Sequence, residues 1–278
     1  MITIILQGGL GNQLFQICTV MAYFFKYKIP FKLPTIKEGG DYNSPHGKNH
    51  KRPLYFNNFF KSLTPFLENI PVYGVYREKQ TFKYAVIPSF KRNVKLAGYF
   101  QSYKYFHDYY DNIIKFLKIN EQKQVLINKF QNIDFENSIS LHFRIGDYKV
   151  VQHHHPILSI DYYKKALTII KEKNKLDGVN VVYFFEKKDI DEVNNKVNQL
   201  KNYFPEANFI SLNDLQDWEE MLTMSLCKHN IIANSTFSWW GAYFNENKEK
   251  IVCYPNKWIN SNVTKQDLFF DYWTEIKA

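Results

Sequence analysis

Short apolar runs alternate with amphipathic helical segments through the second half of the chain, and this alternation constrains the fold most. The run 180–185 is almost continuously apolar, as is typical of a strand buried on both faces. Ile190, Val193, Val197 and Leu200 then recur at the spacing of one helix face. The predicted strands are 138–143, 180–185, 208–212, 230–233 and 250–254, and the predicted helices are 161–173, 190–200, 215–222 and one opening near 235–238. Strands separated by helices need crossover connections, so the sequence predicts an α/β fold with a parallel sheet.

The first half shows the same alternation with interruptions. A strand at 2–6 leads through a glycine-rich loop into a helix that reaches about Lys26, and Thr35–Pro53 is predicted as a long, mobile polar loop. The further predicted elements are strands at 72–76 and 94–98 and helices at 103–117 and 121–130. We therefore expect two domains, residues 1–135 and 136–278, with the last segment packing back on the first domain.

The net charge of the chain is +9, with a pI of about 9.1. Such a charge suits a polyanion, an acidic membrane surface or a phosphorylated small molecule. Only four basic residues are arginines (Arg52, Arg77, Arg92 and Arg144), whereas proteins that read nucleic acid rely on arginine for bases and phosphates. The lysine excess therefore resembles a general compositional habit more than a binding footprint, and no nucleic-acid partner is predicted.

The cysteine pattern and the apolar runs restrict the compartment. The three cysteines are widely spaced and form no paired motif, which argues against a disulfide framework and against a structural zinc site. The longest nearly apolar run, Leu14–Phe25, is shorter than the roughly 20 residues of a bilayer span. No basic leader precedes the first strand. We expect a cytoplasmic protein, at most peripheral to a membrane.

A glycine-rich loop joins the first strand to the first helix. Gly8, Gly9, Gly11 and Asn12 lie where the backbone can turn sharply and approach a ligand, with helix N–H groups facing it. The loop lacks the Gly-Lys-Ser/Thr of a P-loop and the spacing of a dinucleotide fingerprint. It is either a ligand-binding loop or a tight structural turn.

The strand at 138–143 ends in a group of polar residues. His142 and Arg144 project to one face of the strand, and ligands of open α/β sheets bind beyond the carboxyl ends of strands. The guanidinium of Arg144 suits two phosphate oxygens. Asp147 could orient that guanidinium or act on a hydroxyl. The alternative is a surface ion pair between Arg144 and Asp147.

A second polar group follows the strand at 230–233. Asn234, Ser235, Thr236 and Ser238, with Phe237 among them, place hydroxyls, an amide and backbone N–H groups at a strand-to-helix junction. This arrangement predicts a phosphate seat, and the alternative is an ordinary helix N-cap.

The histidines outside these groups give weaker signals. His229 either caps helix carbonyls or contacts a nucleotide. The successive residues His153, His154 and His155 cannot all face one ion, so no metal site is predicted. The chain also has no Asp-x-Asp, the magnesium-binding motif of one large class of sugar transferases.

These segments together resemble glycosyltransferase family 11, the α-1,2-fucosyltransferases that use GDP-fucose. The ordered set of similar motifs is specific as a whole and extends from residue 1 to about 245. Its members are Gly8–Gln16, Gly98–Phe106, His142–Tyr148, Asp161–Ala166 and Cys227–Ala242. The chain departs from the family at Phe185–Asp189, where an acidic Ser-Asp-Asp-like strand end is frequent. Guanine and ribose contacts from that loop are therefore left unassigned.

The resemblance implies two Rossmann-like domains of the GT-B type with the donor site in the cleft between them. It implies an inverting reaction without metal or other cofactor, which moves L-fucose from GDP-β-L-fucose to the 2-hydroxyl of a galactose residue in a glycan acceptor. Under this resemblance, Arg144 would bind the β-phosphate and His142 would help to hold the nucleotide. The residues Ser235, Thr236 and Phe237 would hold the diphosphate and ribose. The Gly8–Asn12 loop would close over the donor.

Two matters stay open at this level. Asp147 is the first candidate for the general base and His153 the second, and a reaction dominated by departure of GDP needs neither. Other functions to be weighed are a different GDP-sugar transferase, for instance one that forms an α-1,6 linkage, and a non-catalytic glycan-binding protein. A lipid-linked acceptor would bring the protein to a membrane surface.

Overall fold

The protein is represented by a computed structural model that describes residues 1–35, 39–40, 51–174, 176–212, 214–261 and 265–278. The contacts of the chain form two units, Met1–Glu121 with Asn262–Phe270, and Gln122–Ser261 with Asp271–Ala278. The first boundary lies earlier than residue 135, where the sequence places it. Just after this boundary, the buried Lys123 donates a hydrogen bond to the carbonyl of Phe244, also in the second unit.

The first unit contains a three-stranded parallel sheet. In chain order its elements are β1 (Ile2–Ile4), α1 (Leu10–Tyr27), β2 (Gly39–Gly40), β3 (Lys51–Arg52), β4 (Val75–Arg77), β5 (Val94–Ala97) and α2 (Tyr110–Leu117). The sheet has the order β1-β5-β4, with Leu96 of β5 opposite Ile4 and Tyr76. Strands β2 and β3 form a separate short antiparallel ladder. Because β1, β4 and β5 run in one direction, the loops that follow them meet at one edge.

Helix α1 follows the glycine-rich loop and is buried along most of its 18 residues. Leu14, Phe15 and Ile17 have no exposed surface, which fits the apolar run in the sequence. The helix ends at Lys28, whose backbone is left-handed (φ 56°) and whose N–H donates to the carbonyl of Phe24 at 2.8 Å. The buried helix gives the preceding loop a fixed support.

The second unit contains a six-stranded parallel sheet. Helix α3 (Ile119–Lys129) leads into it, and the further elements are β6 (Ser138–His142), α4 (Ile160–Lys173), β7 (Asn180–Phe184), α5 (Ile190–Tyr203), β8 (Asn208–Ser211), α6 (Asp217–Met224), β9 (His229–Ile231), α7 (Thr236–Tyr243), β10 (Val252–Pro255) and β11 (Thr274–Ile276). The strand order is β11-β10-β9-β6-β7-β8. Leu141 of β6 lies opposite Tyr183 of β7 and Ile231 of β9, so β6 and its two neighbours form the middle of the sheet.

The core of the second unit lies where the helices cover this sheet. Ile139, Leu141 and Val181 are fully buried and pack with Tyr162 and Leu167 of α4. Branched side chains suit strands that are covered on both faces, and helix α4 turns its apolar stripe toward them. Apolar burial therefore fixes the strand ends from which the polar loops emerge.

The structure confirms the predicted α/β class and its parallel sheets. Strand β11 was not predicted, because Thr274–Ile276 is too short to show a period. The predicted helix 103–117 is divided into two 3-10 turns and α2. Most of the predicted loop Thr35–Pro53 lies outside the described residues. Within the described ranges, no helix has the length and apolar character needed to cross a membrane.

Candidate active site

The polar loops of the second unit meet at the carboxyl edge of its sheet. Arg144 lies just beyond the end of β6, and Glu186 lies just beyond the end of β7. Asn234 follows β9, the strand on the other side of β6. Parallel strands present their carboxyl ends together, which is where open α/β sheets bind ligands. The predicted residues around Arg144 and those around Asn234 are therefore neighbours.

Arg144 is the central charge of this edge. Its Nη1 forms an ion pair with Glu186, and its Nη2 forms one with Asp147. The guanidinium carbon lies 5.0 Å from the centre of the Tyr148 ring, a cation–π contact. The side chain keeps 21% of its surface exposed, and its buried Nε has no hydrogen-bond partner among the described residues. The planar fork is thus held in one orientation while part of it faces solvent.

Tyr148 joins the Arg144 loop to the entrance of α7. Its hydroxyl donates to the carbonyl of Asn234 at 2.8 Å, and its ring stacks on His155 with 4.6 Å between the ring centres. Burial raises the pKa of Tyr148 to about 12, so the hydroxyl stays a neutral donor. The sequence analysis did not assign a role to Tyr148, although this residue lies four positions after Arg144 in the motif His142–Tyr148.

A second set of contacts holds the loop between Arg144 and Tyr148. The N–H of Gly146 donates to Oδ2 of the buried Asp189 at 2.7 Å. Lys149 pairs with Oδ1 of the same carboxylate at 3.1 Å and with Glu192 at 3.0 Å. The segment 185–189 therefore supports the Arg144 loop through Asp189 and contacts Arg144 through Glu186.

His142 lies at the end of β6 and is 6% exposed. Burial, and then the positive charge of Arg144, lower its pKa to about 3, so the imidazole is neutral near pH 7. Its ring centre is 5.6 Å from that of Phe237, and its Nδ1 has no hydrogen-bond partner within the described part of the chain. A neutral imidazole with a spare nitrogen can donate or accept one hydrogen bond from a ligand.

The segment Asn234–Ser238 is built as a helix entrance. The hydroxyl of Ser235 accepts the N–H of Phe237 at 3.3 Å and caps α7, which begins at Thr236. Asn234 donates to the carbonyls of Pro156 and Trp258 at 3.0 and 3.2 Å, while its Oδ1 is buried without a partner among the described residues. The N-cap interpretation therefore holds for Ser235. This N-cap role is compatible with a phosphate-binding site, because the first turn of α7 has no acidic residue that would repel an anion.

His229 does not join this group. It begins β9 and lies opposite Ile139, so it is at the amino edge of the sheet, away from Arg144. Its Nδ1 accepts the N–H of Ile251 at 3.0 Å, and burial followed by the charge of Lys228 lowers its pKa to about 4. The contacts are those of a core residue.

No metal centre is present among the residues that the structure describes. In these ranges no group of three or more His, Cys, Asp or Glu side chains is arranged to hold an ion. His153 lies exposed in the loop after the Arg144 segment, and His154 accepts the N–H of Asn260 at its carbonyl, at 2.8 Å. Cys18, Cys227 and Cys253 are free and buried.

The glycine-rich loop lies at the carboxyl edge of the sheet in the first unit. Gly8 has φ +76°, a conformation that suits glycine, and a Cβ there would lie 2.4 Å from the Nδ2 of Asn12. The buried Gln13 donates to the carbonyl of Gly8 at 3.0 Å, and Gln101 donates to Oδ1 of Asn12 at 2.8 Å. Gln101 belongs to the Gly98–Phe106 motif, whose purpose the sequence alone does not reveal. These hydrogen bonds hold the loop in one conformation. Gly9 and Gly11 lie at the start of α1.

Comparison with known proteins gives concordant relatives. The family model "Glycosyl transferase family 11" matches residues 1–277. The chain is 30% identical to the O-antigen biosynthesis glycosyltransferase WbnK of Escherichia coli, over 98% of this chain and 99% of that protein. It is 26% identical to an alpha-1,2-colitosyltransferase of Escherichia coli, over 91% of each.

Two solved structures are also similar. One is of an Arabidopsis thaliana FUT1 mutant in complex with GDP, with a TM-score of 0.46 and 10% identity over 90% of this chain and 69% of that one. The other is of Escherichia coli ADP-heptose lps heptosyltransferase II, with a TM-score of 0.47 and 13% identity over 99% and 92%. The family match covers nearly the whole sequence, including every motif described above. The chain belongs to glycosyltransferase family 11.

Proposed function

We propose that the protein transfers L-fucose from GDP-β-L-fucose to the 2-hydroxyl of a galactose residue in a glycan, with inversion and without a metal ion. The observation that carries the proposal is the oriented guanidinium of Arg144 at the carboxyl edge of the sheet, beside the entrance of α7. The named activity of the second relative, an alpha-1,2-colitosyltransferase, supports the α-1,2 linkage. It also makes a colitosyl donor the second candidate.

The chemistry requires charge stabilisation on the donor side. The bond between the sugar's anomeric carbon and the β-phosphate oxygen breaks, the acceptor oxygen bonds to that carbon from the opposite face, and the acceptor proton leaves to a base or to water. Negative charge grows on the departing diphosphate, where a fixed guanidinium and N–H donors are most effective. In this proposal Arg144 and the first turn of α7 supply that stabilisation.

The other site residues have supporting roles. His142 is neutral near pH 7 and offers a nitrogen to the nucleotide. Ser235, Thr236 and Phe237 frame the diphosphate and ribose. The carboxylate of Asp147 forms an ion pair with Arg144. This contact favours a role for Asp147 in orienting the guanidinium over the role of general base. His153 is the second candidate for the base.

A donor and acceptor panel tests the proposal. The protein is incubated with GDP-fucose, a colitosyl donor, another GDP-sugar and a UDP-sugar, each with galactose-terminated glycans, and the product linkage is determined. We expect α-1,2-fucosylated product with GDP-fucose. Transfer from the colitosyl donor alone would select the second candidate, and an α-1,6 product would reassign the linkage. GDP binding without turnover on any acceptor would favour a glycan-binding protein.

Replacement of Arg144 tests the residue on which the proposal depends. Arg144→Lys keeps the charge and loses the planar fork, so turnover should fall by at least about a hundredfold. The fold should survive, because the guanidinium lies at the edge of the sheet and not in the apolar core. Circular dichroism and the melting temperature provide the control. Near-normal turnover would reduce Arg144 and Asp147 to a surface ion pair.

A further inference from the structure

The carboxylate of Glu186 pairs with the guanidinium of Arg144, the same group that the proposed function assigns to the donor diphosphate. This carboxylate pairs with Nη1 of Arg144, while Asp147 pairs with Nη2. Carboxylate and phosphate oxygens use the same N–H groups of an arginine fork. A diphosphate that bonds to Nη1 must therefore displace the carboxylate of Glu186.

The two carboxylates on Arg144 are not equivalent. Asp147 lies three residues from Arg144 in the same segment, and its side chain is 19% exposed. Glu186 comes from a different loop, has a longer side chain and is 34% exposed. Its second oxygen already pairs with Lys188 at 2.8 Å, and Lys188 is 59% exposed. Glu186 can leave Arg144 and keep a counter-ion, whereas Asp147 has the geometry of an anchor.

The space that Glu186 fills exists because residue 146 is glycine. A Cβ on Gly146 would lie 2.5–2.8 Å from the carboxylate atoms of Glu186. Gly146 has φ +21°, and its N–H is held by Asp189. The close approach of the carboxylate to Arg144 is thus built into the loop, and is not a chance rotamer on an open surface.

Negative charge around Glu186 favours its release when a diphosphate arrives. Glu220 of α6 has its pKa raised to about 7, by burial first and then by the carboxylates of Asp217 and Glu186, with Lys187 acting in the opposite direction. A diphosphate placed on Arg144 would add charge to this neighbourhood. Movement of Glu186 toward the solvent-exposed Lys188 reduces the repulsion.

We propose that Glu186 is a specificity-determining residue that occupies Arg144 in the free protein and is displaced by the donor diphosphate. The proposal rests on the assignment of Arg144 to that diphosphate. Its consequence is that Glu186 lowers the affinity for every phosphate ligand, and it excludes weak ones such as inorganic phosphate from the guanidinium.

Glu186→Gln tests the proposal with an expected gain. Removal of the competing charge should lower the Kd of GDP by about tenfold, on the scale of one charge-assisted hydrogen bond. Glu249→Gln is the matched control, because it removes the same charge from an exposed carboxylate that pairs with Lys228 and not with Arg144 or its loop. Its Kd for GDP should change by less than about twofold, within the effect of an exposed ion pair. Titration calorimetry at two salt concentrations gives both values.

Glu186→Asp separates competition from net charge. The variant keeps the charge but shortens the reach by one methylene, so it should also bind GDP more tightly. Inorganic phosphate provides a second readout: it should compete with GDP more strongly in Glu186→Gln than in the wild-type protein. Unchanged or weaker GDP binding in both Glu186 variants, or equal competition by phosphate, would make Glu186 a fixed anchor of Arg144 and overturn the proposal.

Failure of the underlying assignment is recognisable separately. If Arg144→Lys binds GDP as the wild-type protein does, then Arg144 does not hold the diphosphate and the proposed function loses its support. If Arg144→Lys loses GDP binding while neither Glu186 variant gains it, then the diphosphate assignment stands and only the displacement of Glu186 is wrong.

Discussion

At the scale of single residues, Asp147 offers a test between catalysis and orientation. Its carboxylate bonds to Nη2 of Arg144. We therefore expect Asp147→Asn to weaken GDP binding and turnover together, binding by about tenfold, because the fork loses a charged anchor. Calorimetry and initial rates measure the two effects. Retained GDP binding with lost transfer would instead identify Asp147 as the general base.

Replacement of His153 examines the second base candidate. His153 lies exposed, so His153→Ala should change donor affinity and turnover little. If His153 removes the acceptor proton, His153→Ala should instead lose transfer while it keeps its affinity for the donor. Full activity in both Asp147→Asn and His153→Ala would indicate that the acceptor proton leaves to solvent.

His229 is expected to affect stability and not donor binding. Its folded pKa of about 4 lies below the 6.5 of an exposed histidine, so the unfolded chain binds the proton more readily between these values. The free energy of unfolding should therefore fall as the pH drops from 6.5 to 4, by up to about 3 kcal/mol from this residue. Urea denaturation of wild-type protein and His229→Phe across this range isolates the contribution. Equal pH slopes in the two proteins would contradict the assignment.

At the scale of elements, two glycines of the loop before α1 form a matched pair. Gly8 has φ +76° and no room for a Cβ, whereas Gly9 has φ −74° and nothing within 4 Å of its Cβ position. We expect Gly8→Ala to destabilise the protein by about 2 kcal/mol, because its backbone would be strained and Asn12 would have to move away from Gln101.

Gly9→Ala is the control for the loop. It should cost less than about 1 kcal/mol, since it alters only an N-cap position that has no side-chain bond. Thermal denaturation of both variants measures the difference in stability. Equal losses of stability in the two variants would mean that the hydrogen bond between Gln101 and Asn12 does not stabilise the loop.

Elements show how far sequence reasoning reaches in this chain. Apolar patterns located the strands and helices around the site because burial selects apolar residues, in a continuous run for β7 and at helical spacing for α5. It could not locate Glu186 or Gln101, whose importance depends on which loops the fold places side by side. A nucleotide contact was one of two interpretations of His229, which lies within the motif Cys227–Ala242. Only the strand register shows that this position is at the opposite edge.

At the scale of the whole molecule, ligand binding should appear as stability. If GDP binds the folded state alone, a concentration of 100 times its Kd adds about 2.7 kcal/mol. The melting temperature should then rise by several degrees with GDP and much less with UDP. We also expect EDTA to leave the GDP shift and the transfer rate unchanged, because the proposed mechanism uses Arg144 and the first turn of α7, and no metal ion, as the counter-charge. A requirement for Mg²⁺ or Mn²⁺ would contradict this mechanism.

The strand order of the second unit also governs how the chain reaches its native state. Strand β6 lies between β7 and β9, and Asn230 of β9 donates to the Oγ of Ser140 at 2.7 Å across a sequence separation of 90 residues. The middle of the sheet therefore cannot close until a long chain segment has been brought back, at a considerable cost in loop entropy. Refolding should be slow and highly cooperative. A chain caught before β9 docks exposes the open side of β6, which is a template for aggregation.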